Sequence, residues 1–399
     1  RDAGSKALIV RALYGLKSSG AAFRAHLGEC MSGLGYSPCL ADPDLWYKEQ
    51  VRNGEAYYAY ILVYVDDILC IHHDPMPVLK DIDAYMKLKP TSVGDPEMYL
   101  GAKLSKVQMS NGVWAWAISP SKYVQEAVRN CKQFLRNNFD NTYKLICHAP
   151  NPFPLGYEPG TDTSPLLPPD EASYYQTIIG VIRWMVKLGR IDIATEVSLL
   201  SSFLAMPRQG HLLNALHIMA HLAKKHASRL VMDPNYPEIN EDDFKADEDW
   251  KPFYGDVKEA IPSNAPKPLG REVVLRMFTD SDHAGEKATR RSRSGFMILM
   301  NMGLIQWYCK QQATVEGAVF GAEFVCLKQG VECLKGIRYK LRMMGIPIDG
   351  PTWIYGDNMS VIKNTSTPES MLKKKSNAIC YHLVREAVAA KECLTCWVP

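Results

Sequence analysis

The chain lacks any unbroken run of about 18 apolar residues, so no membrane-spanning helix is expected. Its longest apolar stretch, Tyr58–Ile71, is interrupted by Asp66 and Asp67. No secretory leader pattern opens the chain. Arg1 rather than Met stands first, as in a processed chain or a piece of a longer one. Strong charge is also missing: a net charge of +3 permits nucleic-acid binding without demanding it, because such binding depends on local patches. The 11 cysteines are an odd number scattered without a framework, which points to free thiols inside a cell. Cys393 and Cys396 form a pair with only Cys380 and His382 near them in sequence, too little for the usual zinc site. No internal repeat is evident. Core-forming residues, in contrast, are plentiful: 47% of the 399 residues are hydrophobic, enough for two or three domains, and the 22% that are charged argue against wholesale disorder.

Tyr64-Val65-Asp66-Asp67 is the most informative segment. Two adjacent carboxylates inside a β-prone run read as strand, tight turn, strand, with the acids at the tip. Such a tip suits a divalent metal held against phosphates; the alternative is a hairpin whose turn is simply acidic.

Around it the chain mixes helix and strand. A helix is expected over Leu13–Gly33, a strand at Leu45–Lys48, a helix over Pro77–Leu88, and strands at Tyr99–Val107 and Val113–Ile118 joined by the Asn111-Gly112 turn. Trp114 and Trp116 alternate in the last of these, to pack a sheet or to support a nucleic-acid contact. From Ser119, a capping residue followed by Pro120, the pattern turns helical, with Val124, Val128, Cys131 and Leu135 on one stripe. Further helices run from Glu171 to about Arg229, and their His211, His217 and His221 read as packing or surface residues. Met232–Gly270 is rich in proline and acid, a composition that resists packing and marks a linker.

The last segment reads as three strands (Val273–Thr279, Gly295–Asn301, Leu304–Cys309), a long helix over about Gly317–Met344, a strand at Thr352–Tyr355, helices after Asn358 and over Ala378–Ala390, and a final strand Leu394–Val398. Asp280 follows the first strand and Asp357 the fourth, where sites form in α/β sheets. Glu323 borders an apolar helical stripe, a costly place for a charge without a partner. Each acid alone reads equally as a turn residue, cap or solvated side chain. The ordered set of strand-end Asp, helical Glu and strand-end Asp reads as a hard-oxygen site for Mg²⁺, with Mn²⁺ as the alternative ion. Two such ions roughly 3.5–4 Å apart can activate water against a phosphodiester.

These motifs together resemble the Pol polyprotein of copia-type LTR retrotransposons, from mid reverse transcriptase into ribonuclease H. The resemblance rests on Ala12-Leu13-Tyr14-Gly15-Leu16-Lys17, Tyr64-Val65-Asp66-Asp67, Tyr99-Leu100-Gly101, the Asp280–Gly285 run, Arg290–Gly295, Phe320–Phe324, Asp357-Asn358 and Tyr381–Glu386. It implies an α/β (α+β) chain: a partial reverse-transcriptase palm and fingers over 1–118, a helical thumb or connection over 119–231, the linker over 232–270, and an RNase H-like mixed sheet with flanking helices over 271–399. It implies that Asp66 and Asp67 hold metal for primer extension with Tyr64 and Val65 beside the primer end, and that Asp280, Glu323 and Asp357 hold metal for cutting the RNA of an RNA–DNA hybrid. Its partners would be an RNA template, a DNA primer, dNTPs, the hybrid and the remainder of the polyprotein, in a cytoplasmic virus-like particle or the nucleus, and not a membrane. Arg290, Arg291 and Lys374, within Lys373–Lys375, would touch phosphates or lie in solvent. His382 would aid product release or pack its helix.

The chain departs from the family at several points. The family's first polymerase Asp lies upstream of the Ala12–Lys17 run and its fourth RNase H Asp beyond the last strand, so each site is expected one donor short. Ser18 stands where Gln is usual, and Ser376 where His is common. A non-catalytic, nucleic-acid-binding relic is the competing reading, and an unrelated metal-dependent phosphotransferase a third. Single-turnover primer extension and hybrid cleavage with Mg²⁺ or Mn²⁺ are expected to show little or no synthesis and no more than residual cutting by this polypeptide alone; robust extension refutes the missing-donor expectation.

Overall fold

The computed structural model of the chain describes residues 16–65, 67–89, 91, 93–139, 143–146 and 149–399. They divide into two compact units: Arg1–Pro96 with Ile261–Glu272 and Arg338–Pro347, and Glu97–Ala260 with Val273–Ile337 and Ile348–Pro399.

The first unit contains α1 (Ser19–Gly33), β1 (Ser37–Cys39), β2 (Asp42–Arg52), β3 (Glu55–Tyr64), β4 (Asp67–Ile71) and α2 (Pro75–Tyr85). Its strands form an antiparallel sheet in the order β1-β2-β3-β4. The apolar run over β3 has a simple cause: both faces of the strand are covered. Ile61 and Val63 pack with Leu27, Met31 and Ile82. Tyr60 and Leu62 lie with Leu45, Cys39, Met343 and Met344. The helix expected from Leu13 begins only at Ser19, and residues 13–15 lie outside the described residues. The second helix begins at Pro75, whose fixed φ and missing N–H suit a first turn.

The second unit opens with β5 (Met98–Tyr99), β6 (Ala102–Gln108) and β7 (Trp114–Ser119), then α3 (Ser121–Asn138), α4 (Pro169–Lys187), α5 (Ala194–Leu200), α6 (Gln209–Lys224) and β8 (Leu230–Met232). The four strands pair antiparallel in sequence order. Gly112 makes the β6–β7 turn with φ near 81°, a left-handed conformation cheap only for glycine. Ser119 does not cap α3. Its hydroxyl donates to the Ser228 carbonyl at 2.7 Å, and Pro120 takes the capping position. The expected stripe Val124, Val128, Cys131 and Leu135 is buried in one core with Ile178, Ile182, Leu212 and Leu216.

The unit continues through α7 (Lys251–Tyr254), β9 (Leu275–Asp282), β10 (Arg293–Met300), β11 (Gly303–Gln311), α8 (Val319–Met343), β12 (Thr352–Gly356), α9 (Met359–Ser366), α10 (Ala378–Ala389) and β13 (Cys393–Trp397). Residues 338–343 at the end of α8 belong to the first unit. The sheet order is β11-β10-β9-β12-β13, antiparallel among the first three strands and parallel from β9 to β13. The expected α/β (α+β) class, with a mixed sheet and flanking helices in its C-terminal part, is the one found. Helix α8 lies close against the sheet at Gly330, where an added Cβ would come within 2.7 Å of the Met277 sulfur. No helix among the described residues is long and apolar enough to cross a membrane.

The Pro-rich stretch is more firmly held than its composition suggests. Phe244 is buried against Trp353, 4.7 Å between ring centroids. The Arg385 guanidinium sits 4.7 Å from the centre of the Trp250 ring and 4.5 Å from that of Tyr381. The segment's aromatic anchors each bury a large apolar area, and the carbonyls of Pro234 and Asn235 add bonds to Asn301 and Met302. Arg385 is 2% exposed and donates to the carbonyls of Asn364 at 2.7 Å, Thr367 at 2.9 Å, and Pro368. Arg385→Ala strands these acceptors and empties the space between the rings, so a loss of roughly 3 kcal/mol of stability is expected. Denaturant unfolding against the exposed-site control Arg24→Ala measures it; an equal small effect from both variants would refute the anchoring role.

Candidate metal centre

The centre is built where β9, β12 and α8 meet. Residues Gly356 of β12 and Thr279 of β9 are register partners in the parallel ladder. Asp280 and Asp357, each one residue further on, are therefore delivered side by side. The sequence places Asp280 just past a strand end, but the β9–β10 ladder runs on to Asp282 opposite Arg293. At the end of this ladder the Arg293 backbone N–H also donates to the Asp282 carboxylate. Asp357 does follow its strand directly. Its carbonyl accepts from the Trp397 indole N–H at 2.8 Å. The Asn358 side chain then caps α9 by accepting from the N–H groups of Ser360 at 3.1 Å and Val361 at 3.2 Å, so the chain turns away at once.

Glu323 comes from the first turns of α8. One carboxylate oxygen from each of Asp280, Glu323 and Asp357 lies within 4.8 Å of the others. The two aspartates are exposed, whereas Glu323 is only 6% exposed. Burial pushes the Glu323 pKa up to about 7; the Asp280 and Asp357 charges push the same way, and hydrogen bonding from Ser281 pulls against them. The Ser281 N–H donates to Glu323 Oε1 at 3.3 Å. Three converging carboxylates with no cationic side chain among them repel one another. A hard divalent cation removes that repulsion and takes oxygen donors of this type, so the donor set fits Mg²⁺ or Mn²⁺.

The other expected site residues lie apart from this triad. Asp66 lies outside the described residues. Asp67 opens β4 opposite Tyr64, and both are exposed. Val65 between the strands is 72% exposed with φ near 57°, a left-handed conformation that strains a β-branched residue. Among the described residues Asp67 joins no cluster of metal-ligating side chains. Arg290 and Arg291 are exposed in the β9–β10 loop, and Lys374 is exposed ahead of a short turn over Lys375–Asn377. The His382 Nδ1 is 2.9 Å from the Tyr254 hydroxyl. His211, His217 and His221 bond to the backbone carbonyls of Pro159, Asn151 and Ala149. Trp114 and Trp116 stand on an open sheet face, Trp114 61% exposed, with the Lys106 ammonium 5.1 Å from the Trp116 ring centre.

Sequence reasoning passed over the polar residues beneath the centre: Ser281, Ser294, Gln312 and Cys326, all buried. One signal was available. Cys326 is three residues after Glu323, on the same helical face.

No protein-family model matches the chain. It is 25% identical over 382 residues to the retrovirus-related Pol polyprotein from transposon RE1 of Arabidopsis thaliana, covering 95% of this chain and 22% of that protein. It is 21% identical over 392 residues to the corresponding polyprotein from transposon TNT 1-94 of Nicotiana tabacum, covering 97% of this chain and 26% of that one. A transposon Ty5-1 protein of Saccharomyces cerevisiae is 28% identical over 213 residues, 53% of this chain and 62% of that protein. The chain thus spans about a quarter of the length of the two plant relatives. Among solved structures, a ribonuclease H1 isolated from compost is similar at 14% identity with a TM-score of 0.23, covering 31% of this chain and 82% of that chain.

The raised Glu323 pKa has a signed consequence. Between pH 4.5 and about 7 the unfolded chain has lost this proton and the folded chain keeps it. Stability without metal therefore falls as pH rises through that window, by up to about 3 kcal/mol, and levels off above it. Thermal unfolding in chelator at pH 5 and pH 8 is expected to show the fall, and Glu323→Gln to flatten it. Added Mg²⁺ is expected to raise the pH 8 midpoint more than the pH 5 midpoint; equal effects at both would contradict the assignment.

Proposed function

We propose, from the chain's relation to transposon Pol polyproteins along nearly its whole length, that the Asp280–Glu323–Asp357 centre of the second unit is part of a nuclease site for the RNA strand of an RNA–DNA hybrid. The observation that carries the proposal is the convergence of those three carboxylates from two neighbouring strands and one helix. Bound there, divalent cations would supply Lewis acidity toward a phosphodiester and toward the water that attacks it.

The chain's own residues do the rest. Asp280, exposed within β9, and Asp357, exposed just past the end of neighbouring β12, present oxygens where a duplex backbone can approach. Glu323, buried behind them, contributes an oxygen from the helix side. Its near-neutral pKa means that it gives up its proton as positive charge enters the site. The exposed Arg290, Arg291 and Lys374 suit contact with phosphates on the flanking backbone.

The first unit contributes the second half of the proposal, an RNA-directed DNA polymerase palm of copia type. Tyr64, Val65 and Asp67 stand at an exposed hairpin tip, with Val65 in a strained conformation of the kind that collects at functional sites. In this reading Asp66 and Asp67 hold the metal, and Tyr64 and Val65 lie against the primer end, with an RNA template and dNTPs as partners.

Cleavage of a labelled RNA–DNA hybrid in Mg²⁺ and in Mn²⁺ tests the nuclease. Asp280→Asn and Asp357→Asn are each expected to reduce any cleavage on the order of a hundredfold. Hybrid binding that weakens with salt but never leads to cutting, in wild type and variants alike, would instead favour a non-catalytic binding relic.

A further inference from the structure

Asp280 and Asp357 are set by a hydrogen-bonded ladder, but no ladder joins α8 to the sheet, so something else must fix Glu323 against them. The Ser281 N–H meets the Glu323 carboxylate itself, and two buried side chains bridge sheet and helix at Ala322 and at Cys326, on either side of Glu323. Gln312, 1% exposed, follows β11 directly. Its amide nitrogen donates to the Ala322 carbonyl at 2.9 Å and to the Ser294 hydroxyl at 3.0 Å. Its backbone N–H donates to the Ser292 carbonyl at 2.8 Å, which holds Gln312 to the start of β10. Cys326, one turn after Glu323, has its sulfur 3.1 Å from the Asp280 carbonyl and 3.3 Å from the Gly295 carbonyl, either of which can accept the thiol proton. The Thr279 hydroxyl approaches the same sulfur at 3.1 Å.

We propose that Gln312 and Cys326 are positioning residues that clamp the first turns of α8 to β9 and β10 and so hold Glu323 at cation-binding distance from Asp280 and Asp357. The proposal rests on the metal-centre reading above. The Gln312 side-chain oxygen is buried with no hydrogen-bond partner. An apolar side chain of similar size would shed that cost but would also withdraw the donor from the Ala322 carbonyl and the Ser294 hydroxyl. The Ala322 carbonyl lies directly beside Glu323 in the chain, and the Asp280 carbonyl belongs to a proposed ligand itself. The clamp therefore ties the helix to the Asp280 carbonyl through a single sulfur and to the Ser294 hydroxyl of β10 through a single amide.

Full-length chain, titrated with Mn²⁺ and followed by the resonance signal of the free ion, gives the affinity; thermal unfolding in chelator gives the metal-free stability of the same samples. Gln312→Leu is expected to weaken Mn²⁺ binding about tenfold, as loss of outer-shell partners does, while the variant stays folded in chelator with its metal-free midpoint lower by only about 2–4 °C. Cys326→Ala is expected to weaken binding comparably, and Cys326→Ser to restore it to within about twofold, because a hydroxyl donates as a thiol does. Wild-type affinity in folded Gln312→Leu and Cys326→Ala, or no recovery with serine, overturns the clamp. Asp280→Asn separates the two levels. If it binds Mn²⁺ as wild type does, the metal centre itself falls and the clamp with it; if it loses binding while the clamp variants keep it, only the clamp falls.

Discussion

Everything distinctive in the second unit follows from placing three carboxylates within 4.8 Å of one another. Like charges at that range oppose folding, and the buried one of the three resists ionising at all. A chain that evolved for stability alone would not assemble this group. The scaffold around it is well bonded: a parallel ladder runs beside two of the carboxylates, an indole N–H and an asparagine cap follow the second of them, and buried polar side chains bond to the helix that bears the third. Such a division of labour is the one expected of the cation site proposed above, where an outer layer sets the geometry that the ligands display.

The hairpin of the first unit stores its cost differently. Its strands are conventional, and the tip carries the strain, in a valine forced to positive φ. Glycine or asparagine would relieve it at once. A bulky, exposed side chain at such a point makes sense where the side chain itself is presented to something, which fits the primer-end role proposed for Val65 and Tyr64.

Much of this was legible in the chain. Strand and helix identity in the C-terminal part followed from periodicity, and the order Asp280, Glu323, Asp357 in that pattern was enough to nominate a cation site before any geometry was known. The errors share one cause, partners distant in sequence. Ser119 looks like a cap because its neighbours look helical, yet its hydroxyl is taken by Ser228, 109 residues away. Strand β9 outruns its apolar pattern because Ser281 and Asp282 pair with Ser294 and Arg293 of β10. The stretch 232–270 looks unable to pack because composition does not show that Phe244 meets Trp353 or that Trp250 meets Arg385. Gln312 and Cys326 are invisible to local reasoning for the same reason, since their acceptors at Ser294 and Asp280 are 18 and 46 residues off.

The first unit is assembled from three separated stretches, the last being Arg338–Pro347. Tyr60 donates to the Met344 carbonyl across 284 residues, and Met343 closes the same face of β3. At about 5–20 residues per second, a ribosome needs roughly 15–60 s to supply that lid after the strand has emerged. During that interval the second face of β3 stands open to chaperones or to other nascent chains. Over evolutionary time the same threading ties the two units together: recombination at the boundary between them would strip the first of its cover, so they would be inherited as a pair and not as interchangeable modules.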